Sequence, residues 1–182
     1  MKKVWLGAVA VALLAASAAL LWGSGEPPAQ PSAAEVLERH LQRHPKDARA
    51  LVLQARQHVQ VERYAQAAEG FRLALAASTK VARDAGVWAE YAEAQGLAQG
   101  RTLAGLPSEL IDKALALNAA QPRALDLAGS AAWERRDYAG AATHWRVLLA
   151  QITLVDVRHA ELSAAIAGAE QRARFALPPP QR

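Results

Sequence analysis

Apolar residues along most of the chain recur at three- and four-residue spacing, the period of a helix buried on one side. Val36, Leu37 and Leu41 give such a stripe over 33–44, where Pro45 ends the run and Ser32 with Glu35 forms a capping-box pattern. The period predicts helices over 48–61 and 64–77, over 84–98 and 108–118, and two more within 122–151 joined by a tight polar turn at 134–137, each pair separated by a turn or loop. Pro107 stands near the start of the 108–118 helix, with Ser108 as its expected cap. The β-branched stretch 152–157 interrupts the pattern. A last helix is expected from a cap at Asp156 to about Phe175, with Leu162, Ile166 and Ala169 on one side and Pro178, Pro179 and Pro180 ending order beyond it. The chain is therefore read as all-α.

Within the three pairs, small and aromatic residues recur in a fixed order. Ala55, Ala67, Phe71 and Ala74 have counterparts in Gly129, Ala141, Trp145 and Leu148, and Tyr64 stands where Tyr138 does. Trp88, Tyr91 and Ala92 mark the first helix of the middle pair. That order resembles the tetratricopeptide (TPR) signature, in which small residues let two helices approach and aromatics fill the space beside them. The expected architecture is a TPR-type α-solenoid of about three helical hairpins, with capping helices at both ends. Ala92 follows Ala55 by 37 residues and Gly129 follows Ala92 by 37, against a repeat of about 34. The excess is assigned to 78–83 in the first interval and to 96–107, with Gly96, Gly100 and Gly105, in the second.

The ends of the chain read differently. Lys2 and Lys3 precede an uncharged stretch, 4–22, which as a helix would span roughly 28 Å, close to a bilayer core. The Trp pair at its ends, Trp5 and Trp22 at the two interfaces, favours a membrane anchor over the alternative, a signal peptide cleaved near Ala16-Ser17-Ala18. Either places the remainder outside the cytoplasm. Residues 23–32 hold three prolines, two glycines and two serines and read as a linker. The domain is expected over 33–175 and a disordered tail over 176–182.

Composition removes several function classes. The 182 residues include no cysteine, which excludes disulfides, thiol catalysis and zinc–thiolate sites. The net charge of +4 is scattered and mixed with acids; no basic stripe with interleaved aromatics argues for nucleic acid. No catalytic motif is evident and no cofactor is implied. His40 and His44 have the i, i+4 spacing of metal ligands, without an intervening glutamate or a third ligand. Glu90 and Glu93 have helix spacing and read as a solvated face rather than an acid–base pair. A binding surface remains. The first helix of each hairpin should line the inner side of the array, which selects Arg49, Val52, Arg56, Val59 and Gln60, then Ala89 and Glu93, then Arg123, Asp126, Ser130 and Trp133. An exposed Trp133 among Arg, Asp and Ser would anchor an amphipathic peptide or helix.

The run 110–118, its glycine-bearing preceding loop, the hairpin ending at 137–149 and the final helix together resemble the periplasmic TPR domain of the c-type cytochrome maturation system, in its haem-lyase-associated subunits. The resemblance covers roughly 34–172. Some members have two membrane helices and a basic cytoplasmic loop, where this chain has one hydrophobic stretch at most. The resemblance implies a non-enzymatic chaperone on a single inner-membrane anchor, facing the periplasm. It would hold the C-terminal helical segment of an apocytochrome c for haem attachment, and its further partners would be the haem lyase membrane subunits. A general cell-envelope scaffold for secretion, pilus or outer-membrane assembly is the alternative.

Overall fold

A computed structural model describes residues 31–153 and 155–176. The anchor or signal segment at 1–22, the linker up to residue 30 and the tail from 177 lie outside the described residues. Among those described, every regular element is helical: α1 (Ala33–Arg43), α2 (Ala48–Gln60), α3 (Tyr64–Ala77), a 3₁₀ turn (Val81–Arg83), α4 (Ala85–Ala98), α5 (Leu106–Leu117), α6 (Pro122–Glu134), α7 (Tyr138–Leu149) and α8 (Val157–Ala176). None of them is long and apolar enough to cross a membrane.

The helices pair in sequence, α2 with α3, α4 with α5 and α6 with α7. Consecutive hairpins then pack side by side through α3 on α4 and α5 on α6, and α8 covers α7. The arrangement is consistent with an α-solenoid. Each first helix starts at a polar side chain that takes up its orphan amides. Asp47 accepts from the Arg49 and Ala50 amides at 3.0 and 3.2 Å, Asp84 from Gly86 at 2.8 Å, and Gln121 from Ala124. These caps stand 37 residues apart, like the small residues.

The same chain geometry closes the first and third hairpins. The Arg63 amide donates to His58 O and Glu62 to Val59 O, at 2.8 and 3.1 Å; Asp137 donates to Ala132 O and Arg136 to Trp133 O, both at 2.9 Å. This six-to-one and five-to-two pattern requires a left-handed residue, usually glycine. Here Glu62 and Arg136 occupy it with φ of 58° and 62°.

Burial follows the repeated positions. Ala55, Ala67, Phe71, Ala74, Ala92 and Ala141 are fully buried, and Trp145 and Leu148 nearly so. In the middle hairpin, Pro107, Ile111 and Ala114 stand where Ala67, Phe71 and Ala74 stand in the first. Pro107 and Ile111 join Phe71 as the largest fully buried side chains. The two excess segments are local. The first forms the 3₁₀ turn, whose Ala82 carbonyl accepts from the Trp88 indole at 2.8 Å. The second is the loop before α5, held by Glu134, which accepts from the Leu103 amide at 2.9 Å.

Some local expectations differ. Ser108 does not cap α5: that helix starts two residues earlier, at Leu106, behind Gly105 with φ 73°, and the Ser108 hydroxyl donates to Leu103 O at 2.6 Å. At Gly129 the close neighbour is an aromatic ring rather than a facing backbone. A Cβ there would lie 2.2 Å from Trp145 Nε1. The backbone approach belongs to the first hairpin, where a Cβ on Gly70 would lie 3.0 Å from Ala55 Cβ and 3.4 Å from its Cα. Asp156 does accept from the Arg158 amide at 2.9 Å at the start of α8, and Ile166 and Ala169 are buried against the third hairpin.

Candidate functional site

Because α2, α4 and α6 lie in successive hairpins, their free faces form a groove of three adjoining cavities. The first, of about 700 Å³, lies at the first hairpin between the starts of α2 and α4. Arg49, Val52, Leu53 and Arg56 line it from α2, with Lys80, Val81 and Val87 opposite. The second is smaller, about 190 Å³, and runs from Arg56, Val59 and Gln60 across Glu90 and Glu93 to Arg123. The third, about 620 Å³, takes Glu93, Arg123 and Asp126 as one wall and Trp145, Leu148 and Leu162 as part of its floor. Arg56 borders the first two cavities, and Glu93 with Arg123 borders the last two, so the three run on from one another.

Two ion pairs cross the groove between neighbouring first helices. Arg56 holds Glu90 through two parallel hydrogen bonds, Nε to Oε2 at 2.7 Å and the second guanidinium nitrogen to Oε1 at 2.8 Å. This bidentate geometry favours the charged guanidinium and raises the Arg56 pKa. Arg123 pairs with Glu93 from the other side through a single hydrogen bond to Oε2. Glu90 and Glu93 are therefore not a solvated face. The Glu90 side chain is only 17% exposed, and both carboxylates fix the relative position of helices one repeat apart.

Of the residues selected from the sequence, Arg49, Val52, Arg56, Gln60, Glu93, Arg123 and Asp126 all line this groove, as does Val59. Val52 shows the cavity only an edge and is otherwise buried. Ala89 is fully buried with Ala114 and Ala124 and reaches no cavity. Ser130 and Trp133 line none of the three. Trp133 is half-buried, not exposed. Its ring meets Tyr138 edge-on at 5.2 Å and Trp145 at 6.0 Å, and the Arg172 guanidinium of α8 lies over it at 4.5 Å. Its place is the packing of α8 on the third hairpin. The aromatic that does border the groove is Trp145, whose indole donates to Asp126 O at 3.4 Å.

Residues not selected from the sequence as part of this face complete the lining. Lys46 and Lys80 stand at the first end, and Ile152, Arg158, Glu161 and Leu162 at the third. The 152–162 residues come from the segment after the last hairpin, which no hairpin period flags. Lys46 and Lys80 sit just outside helix ends, where a helical pattern says nothing of direction.

The histidine pair has a structural role. His40 Nε2 lies 2.9 Å from Asp47 Oδ2, and the His40 and His44 rings are 4.9 Å apart. The bond to His40 and the amide of Ala50 hold the Asp47 carboxyl below its ordinary pKa. Among the described residues, no group of three or more His, Asp or Glu stands close enough to hold a metal ion. What the site presents is a channel lined by charged and apolar side chains together, suited to contact along an amphipathic peptide.

No protein-family model matches the chain, and no curated protein matches it in sequence.

Proposed function

We propose that the protein is a non-enzymatic TPR-type binding module and that its groove holds a helical segment of a partner protein. The observation that carries the reading is the three-cavity groove across α2, α4 and α6, where eight of the eleven residues selected as a peptide-binding face come together. The 37-residue recurrence of caps and small residues supports the repeat type. The partner proposed is the C-terminal helical segment of an apocytochrome c. That choice rests on the sequence resemblance at 110–118 and 137–149. In this reading a hydrophobic N-terminal segment holds the domain on the outer face of a bacterial inner membrane, beside the haem lyase subunits that carry out the chemistry.

Calorimetric titration of the full chain with synthetic apocytochrome C-terminal segments tests the proposal. Saturable binding, with loss of mature cytochrome c in a deletion strain, is the expected outcome. No saturable binding together with normal cytochrome c levels would refute it. Binding without any cytochrome defect would turn the reading toward a general envelope scaffold.

A further inference from the structure

The two ends of the groove carry opposite surplus charge. At the first hairpin, Lys46, Arg49 and Lys80 line the cavity, all three exposed, and none of them is in an ion pair among the described residues. The carboxylates beside them are already engaged. Asp47 caps α2 and bonds His40, and Asp84 caps α4. The fourth cation, Arg56, is committed to Glu90.

At the third hairpin the balance is reversed. Arg123 is committed to Glu93, and Arg158 to Asp156 at 2.7 Å. Asp126 and Glu161 line the same cavity and are in no ion pair among the described residues. Between the ends stand only the two neutralised pairs. Apolar side chains stand among the polar ones in each cavity, Val52 and Val87 at the first end, Val59 and Leu97 in the middle, and Trp145, Leu148 and Leu162 at the third. With helices packing at about 8–10 Å, two such steps separate the charged ends by roughly 20 Å.

We infer that the groove orients its occupant by charge. The occupant is a helical peptide with an acidic end and a basic end, the acidic end lying on Lys46, Arg49 and Lys80 and the basic end on Asp126 and Glu161. A helix of about 13 residues spans that separation at about 1.5 Å per residue, and its apolar stripe meets the apolar side chains of the lining. This inference rests on the groove reading above and adds a polarity to it. Exposed charge contacts are each worth up to about fivefold in affinity, so inverting the peptide's charges over the groove is weaker by one to two orders of magnitude, roughly. Screening by salt erodes the preference.

The test uses the full-length protein and two synthetic peptides of about 14 residues with the same leucine stripe. One carries glutamates in its first two turns and lysines in its last two; the other has the two charge blocks exchanged. Each is made with a benzophenone at either end, and the cross-linked residues are mapped by mass spectrometry. In both peptides the acidic end is expected to label the first hairpin and the basic end to label 152–165, so that labelling follows charge rather than chain direction. Arg49→Glu with Lys80→Glu should weaken both peptides about tenfold, and adding Asp126→Lys with Glu161→Lys should invert the labelling. All four positions are exposed or lie at cavity rims, and unchanged melting curves confirm that each variant folds. Saturable binding with labels spread over both ends, or following chain direction, overturns the polarity and leaves the groove reading standing. Failure of both peptides and of the apocytochrome segment to saturate overturns both.

Discussion

Adding one methyl group at Gly129 puts the third hairpin under a defined load. A Cβ built there lies 2.2 Å from Trp145 Nε1, 2.5 Å from Cδ1 and 2.6 Å from Cε2, against about 3.5–4.0 Å for atoms in good contact. The indole would have to retreat by roughly 1 Å over its whole five-membered ring. It has little room. Trp145 is 8% exposed, its ring borders Trp133 at 6.0 Å, and its N–H donates to Asp126 O at 3.4 Å. Overpacking of this kind costs about 1–3 kcal/mol. Alanine in place of a helical glycine returns about 1 kcal/mol through backbone entropy. With three ring atoms inside 3 Å, the cost should lie at the upper end, for a net loss of about 1–2 kcal/mol. The cause can be isolated. In a Trp145→Leu background, itself destabilised by a large-to-small change, the obstructing ring is absent. Gly129→Ala should then be neutral or stabilising by up to about 1 kcal/mol. Urea unfolding of the four proteins of the cycle, followed by far-ultraviolet circular dichroism, measures the coupling, expected at about 1–3 kcal/mol in favour of the double variant. Equal effects of Gly129→Ala in both backgrounds would refute the assignment of Trp145 as the neighbour that requires glycine.

Trp133→Ala should lower stability by about 2 kcal/mol, since a half-buried indole, an edge contact and the Arg172 cation are lost together; an unchanged melting temperature would return Trp133 to the role of a free surface anchor. Arg136→Gly relieves a left-handed residue and should raise the melting temperature by about 1–3 °C, measured by thermal unfolding, with a fall counting against the strain. Burial, with Arg63 nearby, lowers the His58 pKa below its usual 6.5. The folded state therefore disfavours the imidazolium: stability is full above pH 6.5 and falls as acidification protonates the unfolded chain first. An NMR titration placing His58 at or above 6.5, or an acid slope in this range that His58→Gln leaves unchanged, would contradict this.

Helix positions were legible because each element carries its own period and its own stop signals. Ser32 and Pro45 bracket α1; Asp47, Asp84 and Asp137 stand one residue ahead of their helices, a signal that period alone does not use, and the expected 84–98 helix takes Asp84 in. Buried small residues were legible through their recurrence. Side-chain direction near a helix end was not. Trp133 lies in the last turn of α6, where a small rotation decides between groove and core, and the rotation is set by α8, which packs more than twenty residues downstream. Glu90 and Glu93 looked like ordinary helix-face acids. Their partners Arg56 and Arg123 stand 34 and 30 residues away, a distance that acquires meaning only once neighbouring hairpins are stacked. The same holds for Trp145. As the counterpart of Phe71 it reads as core, and it borders the groove only because its ring leans across Gly129 toward Asp126.

The claim that the groove is where this protein meets its partner is tested most directly by amide chemical-shift mapping of the isotope-labelled protein during titration with an apocytochrome C-terminal segment. Shifts concentrated on α2, α4, α6 and the 152–162 stretch, with Val52, Glu93, Arg123 and Asp126 among the largest, are the expected result. Shifts confined to α3, α5 and α7, or a spectrum that does not move, would contradict it.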